Sequence, residues 1–390
     1  MTAERTAPAD LEEAVRLMTE AAARGDALAF VGGGTEAEFG YPPERVDLEI
    51  ETRRLCSVVD YAPSDMVVEV EGGMPLAALQ RVLAASGQRL ALDPPLPERA
   101  TLGGLLATNA FGPRRLRFGS LRDLIVGITL VRADGTRVRG GGKVVKNVAG
   151  FDLPKIAVGS FGSLGLIATA TFRLHPLPQA ARALRIAGVP GSKLHAIGRD
   201  IVDSRLEPAA TYALRTDDGY DAWVLFEGFE AGVAEQCERF AQHAAQAGLA
   251  APAEEPPATF SSRDAGARTA GDLHLRLAVP PSALDLLQRD VLDDLAGALD
   301  AARMTVYPAL GIAFVSATLG ARDPVPAILR ARSLLEAWGG NLVVPASPAA
   351  LRARVDVFGT LPPAFPLMAQ LKARFDPQRR LERGRFIGRL

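Results

Sequence analysis

Between Ala100 and Leu174 the chain sets three glycine-rich turns among short apolar runs, with glycines at Gly103, Gly104, Gly112, Gly119, Gly127, Gly150, Gly159, Gly162 and Gly165. Each glycine loses more backbone entropy on folding than an alanine would. A segment that had only to fold would not carry so many. Such a density points to backbone lying against a large, phosphate-bearing ligand, which needs bare amides and no side chains in the way.

At 390 residues, and about 150 residues per domain, the chain is expected to form two or three domains. With 48% hydrophobic and 23% charged residues it has material for sizeable cores. The net charge of −1, from 44 basic against 45 acidic residues, argues against nucleic acid or an anionic membrane as the main partner through bulk charge. Two distant cysteines, Cys56 and Cys237, build neither a disulfide scaffold nor an iron–sulfur cluster on this chain, and a reduced, cytoplasmic setting is expected. No metal site is expected. The first residues lack an apolar signal core, and runs such as Leu124 to Val131 are too short to span a bilayer.

Asp10, with Glu13 three residues on, predicts a capped helix carrying Leu11, Val15, Met18 and Ala22 on one face and ending at Gly25. Ala27 to Val31 reads as a buried strand that empties into Gly32-Gly33-Gly34-Thr35, and Met66 to Glu71 as another strand. Pro75 and Gly87 bracket a helix. Asp134-Gly135 joins Ile125–Arg132 to Thr136–Arg139 as a hairpin, and Ser163 to Leu174 closes the region as a strand. Beyond Pro176 and Pro178 the pattern changes. Strands are expected at 223–227, 273–279, 312–317 and 341–344, with helices at 232–247, 282–299 and 325–338. That order predicts an α+β domain whose antiparallel sheet is covered by helices on one face. Residues 250–268, rich in Ala, Pro, Glu and Ser, read as a loop.

Gly32 to Ala37 formally fits G-x-G-x-x-G/A after a strand. The dinucleotide reading fails because Gly40, Pro42 and Pro43 follow where a helix must open. A phosphate loop at Gly142-Lys143 fails as well, since Val144 replaces the Ser or Thr that would touch magnesium.

Several segments together resemble the FAD-binding domain of the vanillyl-alcohol oxidase and p-cresol methylhydroxylase family. The first is Gly32–Thr35, followed unusually by Glu36-Ala37-Glu38. The second is Ala100, Thr101, Gly103, Gly104, Ala107, Asn109 and Gly112, continued by Arg114, Arg117, Phe118, Gly119 and Arg122-Asp123 with Gly127. The third runs from Lys146 to Leu153 and from Gly159 to Ile167. A fourth, Lys372, Phe375, Asp376, Pro377, Leu381, Gly384 and Arg385, resembles the closing element of the FAD-linked oxidase C-terminal domain, with Glu382-Arg383 in place of Asn-Pro.

The resemblance implies an α+β protein with a two-subdomain FAD-binding domain over 1–178, divided near residue 60. A cap domain over 179–390 follows, whose segment 367–390 returns toward the flavin. It implies noncovalent FAD, since relatives that tether the flavin often use a histidine in the first glycine loop and this loop has none. The cofactor-binding set it implies is Gly32, Gly33, Gly34, Thr35, Pro94, Thr101, Gly103, Gly104, Thr108, Asn109, Gly112, Arg114, Arg117, Gly119, Asp123, Gly159, Gly162, Gly165 and Ile167.

Oxidising a hydroxy acid needs a base near the hydroxyl and a cation for the carboxylate. His274 and Arg276 alternate on one predicted strand and therefore share a face, which makes them the candidate catalytic pair. The histidine-rich element of catalytic D-2-hydroxy-acid relatives is missing, and Tyr307 to Ile312 stands in its place without a histidine. Within the family, Leu92–Pro95, Phe111–Arg115, Gly119–Asp123 and Lys146–Leu153 resemble the smaller flavin-binding subunits of bacterial glycolate oxidases. That likeness implies a larger flavin-binding catalytic subunit and an iron–sulfur subunit as partners. It also implies a small 2-hydroxy acid as the complex's substrate, and a membrane reached only through partners. Two alternatives stay open: a self-sufficient FAD-dependent 2-hydroxy-acid dehydrogenase, and a structural subunit with a vestigial FAD site.

Overall fold

The computed structural model describes residues 3–142, 152–257, 260 and 272–390. Residues 146–151 of the third motif, and residues 258–259 and 261–268 of the expected loop, lie outside the described residues. The chain divides into two units: Met1–Phe111 with Gly119–Leu177 and Thr360–Leu390, and Gly112–Phe118 with Pro178–Gly359.

The first unit begins with β1 (Glu4–Thr6), α1 (Leu11–Arg24), β2 (Leu28–Val31) and β3 (Leu48–Glu51), and its three strands form a parallel sheet in the order β1-β3-β2. Asp10 caps α1 by accepting from the Glu13 amide at 2.8 Å, while Glu13 reaches one residue further back than a capping box requires, to the Ala9 amide. Gly25 ends the helix with φ +74°. Ala14, Met18 and Ala21 pack from α1 onto Leu28, Leu48 and Ile50.

A five-stranded antiparallel sheet follows, ordered β4-β5-β9-β7-β8. Its strands are β4 (Val58–Ala62), β5 (Val67–Glu71), β7 (Ile125–Val131), β8 (Arg137–Gly141) and β9 (Leu166–Arg173). Two-residue strands β6 (Gln88–Arg89) and β10 (His175–Pro176) pair beside it. β9 lies in the middle and is buried over seven of its eight residues. One of its faces is apolar; on the other, Thr169 donates to Glu69, whose carboxylate also accepts from Arg139. Helices α2 (Leu76–Ala84) and α3 (Leu102–Thr108) cover the apolar face with Leu79, Leu83, Leu102 and Leu106. Pro75 is the residue preceding α2 rather than its first helical residue.

The second unit is an eight-stranded antiparallel sheet in the order β14-β11-β13-β12-β16-β17-β15-β18. Its strands are β11 (Ala180–Val189), β12 (Ala210–Thr216), β13 (Gly219–Gly228), β14 (Ala253–Glu255), β15 (Leu273–Ala278), β16 (Asp300–Tyr307), β17 (Ile312–Thr318) and β18 (Asn341–Ala346). Helices α4 (Glu230–Gln246) and α5 (Val325–Ala337), with the helical stretch after Pro281, lay Val233, Phe240, Leu287, Leu295, Ile328 and Leu335 on Val224, Phe226, Leu275, Leu277, Val306 and Val315.

Three expectations change here. Strands β11, β12 and β16 escape a reading by alternation because alanines blur it. The expected loop contains the edge strand β14, held by register to β11 and by Arg185 and Arg182 opposite Glu255 and Glu254. The helix expected at 282–299 is interrupted by a π-turn over Leu287–Leu292. Within that wide turn, the buried Gln288 accepts from the Tyr220 hydroxyl and donates to Asp293 at 3.2 Å.

Candidate FAD site

β2 runs out into Gly32-Gly33-Gly34-Thr35, and this loop forms one wall of a cavity of about 250 Å³ inside the first unit. The glycines there serve the chain before they serve any ligand. A Cβ on Gly32 would overlap the Thr101 hydroxyl, and one on Gly33 would overlap the Arg99 carbonyl oxygen. Gly103 likewise lies against the Gly72 carbonyl, which a Cβ would meet at 2.9 Å. The two loops can touch only because these positions are bare. Thr101 caps α3 and, with Gly103, Gly104, Ala107 and Thr108, supplies the second wall. Among the described residues no backbone carbonyl takes the amides of Gly32, Gly33, Gly34 or Thr35. Several adjacent donors without an internal acceptor are what a backbone anion cradle requires.

The third wall is the turn 159–167. It is tied to α3 by the Gly159 amide on Leu106 O (2.8 Å) and the Phe161 amide on Ala107 O (2.9 Å). Phe161 sits between Phe39 and Phe386, with ring centroids 4.8 and 5.1 Å away. Gly162, Gly165, Leu166 and Ile167 face the cavity. Asn109, just past α3 at φ +52°, keeps its Oδ1 buried without a hydrogen bond among the described residues.

Glu382 and Arg385 of the tail also line the cavity, together with Glu36 and Glu49. The Glu382 carboxylate accepts from the Phe30 amide (2.7 Å) and from Arg385 (3.0 Å). Neither tail residue belonged to the set expected from sequence. The signal for them was the closing motif itself, in which Leu381 precedes Glu382 and Gly384 precedes Arg385.

Of the expected cofactor residues, the cavity gathers Gly32, Gly33, Gly34, Thr35, Thr101, Gly103, Gly104, Thr108, Gly162, Gly165 and Ile167. Pro94, Asn109, Gly159, Gly119 and Asp123 are not among its lining residues. Asp123 works locally: it accepts from the Ser120 amide and hydroxyl at 2.8 and 2.9 Å, and Gly119 sits against it with φ +77°. Gly112, Arg114 and Arg117 group with the second unit, where Arg114 pairs with the buried Glu227 at 2.7 Å and Arg117 donates to Glu207 O at 2.8 Å.

In that unit the sheet face away from the helices carries the candidate catalytic pair. His274 and Arg276 alternate with buried Leu273, Leu275 and Leu277 on β15. Ser316 stands opposite His274, Phe314 opposite Arg276, and Thr305 opposite Phe314. The hydroxyl oxygens of Thr305 and Ser316 are buried and make no hydrogen bond among the described residues. Farther along the same face Tyr212 and Trp223 stack with centroids 5.9 Å apart.

Residues 5–141 match the model of the FAD binding domain. The chain is 33% identical over 207 residues to glycolate oxidase subunit GlcE of Escherichia coli (strain K12), covering 53% of this chain and 57% of that protein. It is 29% identical over 178 residues to glycolate oxidase subunit GlcD of Bacillus subtilis (strain 168), covering 46% and 38%. To D-lactate dehydrogenase of Archaeoglobus fulgidus it is 33% identical over 170 residues, covering 43% and 38%. The chain thus spans little more than half, or less, of the length of these relatives. A solved alkyldihydroxyacetonephosphate synthase superposes with a TM-score of 0.75 over 97% of this chain and 75% of that one. At 18% identity this speaks for the fold alone. Three glycine walls, uncommitted amides and the match over residues 5–141 converge: this part of the chain is an FAD-binding domain, and FAD is the cofactor it takes.

Proposed function

We propose that the chain is the FAD-holding subunit of a glycolate oxidase-type complex, working in the oxidation of a small 2-hydroxy acid beside a larger flavin subunit and an iron–sulfur subunit. The likeness to GlcE carries this reading. When bound, FAD supplies the acceptor for the two electrons removed from the substrate carbinol. The chain's own part is to seat the cofactor: the amides of Gly32–Thr35 bind the diphosphate, Thr101 and Thr108 offer hydroxyls, and Phe161 helps close the cavity. The setting is cytoplasmic, with any membrane contact made through partners.

A second reading is favoured by the sheet face of the second unit. There Arg276 would bind the substrate carboxylate and His274 would take the hydroxyl proton, so that this chain oxidises substrate alone. Both readings meet in one measurement, the absorption spectrum of the isolated chain before and after anaerobic glycolate or D-lactate. Flavin bands that stay unchanged, with substrate-dependent bleaching only after co-expression with the two partners, support the subunit reading. Bleaching of the isolated chain overturns it in favour of the second.

A further inference from the structure

The chain's tail holds the cavity walls through two cations. Lys372 lies on α6 (Phe365–Phe375) and is 3% exposed. Its ammonium donates to Asp376 Oδ2 at 2.7 Å, Leu381 O at 2.8 Å and Ser163 O at 2.9 Å. A lysine has three N–H donors, and here each finds an oxygen on a different piece of chain. Ser163 sits between Gly162 and Gly165, and Leu381 precedes Glu382; all three neighbours line the cavity. Asp376, fully buried, also accepts from the Leu381 amide at 2.8 Å. The tail is further seated on β2, where Leu28 N donates to Arg380 O (2.7 Å) and Glu382 N to Leu28 O (2.8 Å).

Stability alone is a poor reason for such a pair. Desolvating a buried ammonium and carboxylate costs several kcal/mol, and well-packed apolar residues of similar volume often do as well or better. Burial pushes the Lys372 pKa down and Asp376 pulls it back up. What an apolar pair cannot supply is direction, and this ammonium fixes a glycine turn and a tail at once. Arg385 repeats the device on the opposite wall. It donates to Glu36 O (3.2 Å), Ala37 O (2.9 Å) and Phe39 O (3.1 Å), just past the first glycine loop.

We propose that Lys372 is a positioning residue of the FAD site, tying the third glycine turn to the C-terminal tail so that cofactor binding and tail docking are coupled. Coupling is reciprocal: a loosened tail weakens FAD by the same factor by which FAD tightens the tail.

The test is amide hydrogen exchange on the full chain with and without FAD, alongside fluorescence titration of FAD. In the wild type FAD should slow exchange over residues 160–165 and 376–386. Lys372→Met, kept below its melting temperature, should bind FAD about tenfold or more weakly and lose the FAD-dependent protection of 376–386. Asp376→Asn leaves the ammonium its two carbonyl acceptors and should lose less. A Lys372→Met protein that melts earlier but binds FAD within about twofold of wild type overturns the proposal. Should that variant fail to fold, the wild-type exchange maps decide: unchanged exchange over 376–386 on adding FAD overturns the coupling equally.

Discussion

The two units bring their candidate site residues together by opposite means. In the first, contiguous turns are kept bare so that loop can touch loop, and the cavity is what remains between Gly32–Thr35, Thr101–Thr108 and Gly162–Ile167. In the second, His274, Arg276, Thr305 and Ser316 come from three strands and meet through register alone. Crowding governs the first site, so adding atoms should harm it. In the second, the hydroxyls of Thr305 and Ser316 are buried without a hydrogen bond among the described residues, so removing those two hydroxyls should cost the fold nothing.

The largest expected effect tests the crowding. Gly33→Ala puts a methyl into the Arg99 carbonyl, where backbone must move, at about 3 kcal/mol of stability. FAD titration and thermal melting should show lost cofactor binding. Retention of wild-type affinity would break the account of the first wall. The second effect has the opposite sign. Thr305→Val and Ser316→Ala remove buried hydroxyls without partners, and should leave stability unchanged or raise it by about 1 kcal/mol, with FAD affinity intact. If the second unit takes substrate, the same variants weaken flavin bleaching by 2-hydroxy acids. A fall in stability would mean those hydroxyls serve the fold. Gly34→Ala is a milder companion to Gly33→Ala. No atom lies within 4 Å of its Cβ, but φ is +70°, so about 1 kcal/mol of backbone strain is expected with FAD still bound.

This contrast also explains what could be read from the chain. The helix after Asp10 and the glycine turns are local, their information lying within a few consecutive residues, and the FAD-binding domain follows from them. Lys372 and Arg385 were visible as motif letters, but their partners Ser163 and Glu36 lie more than 200 and 300 residues away, and no spacing rule reaches that far. Asp123 and Gly119 matched a motif as well, yet in the structure Asp123 shares a capping box with Ser120 and Gly119 packs against it. The alternation on β15 aligned His274 with Arg276, whereas Ser316 and Thr305 join them only through pairing with β17 and β16. Those two hydroxyls carry no signal in their own segments.

The smallest expected effect separates the units by pH. His175, on β10, stands opposite Arg89 of β6. Burial first, then Arg173 and Arg89, hold its pKa below the ordinary 6.5. Between that lowered value and 6.5 the unfolded chain binds more protons than the folded one, so stability rises with pH across the window. The contribution is fully present above pH 6.5 and is lost as pH falls through the folded value. His175→Gln should therefore flatten the acid side of the melting curve while leaving the neutral side nearly unchanged. Amide exchange should place the difference in β6 and β10 and not in β13 of the other unit. An acid slope identical in the variant would assign the loss to other groups. A slope that moved in β13 instead would show that acid acts on the second unit, and the contrast between a crowded site and an unfilled one would then have no counterpart in how the two units titrate.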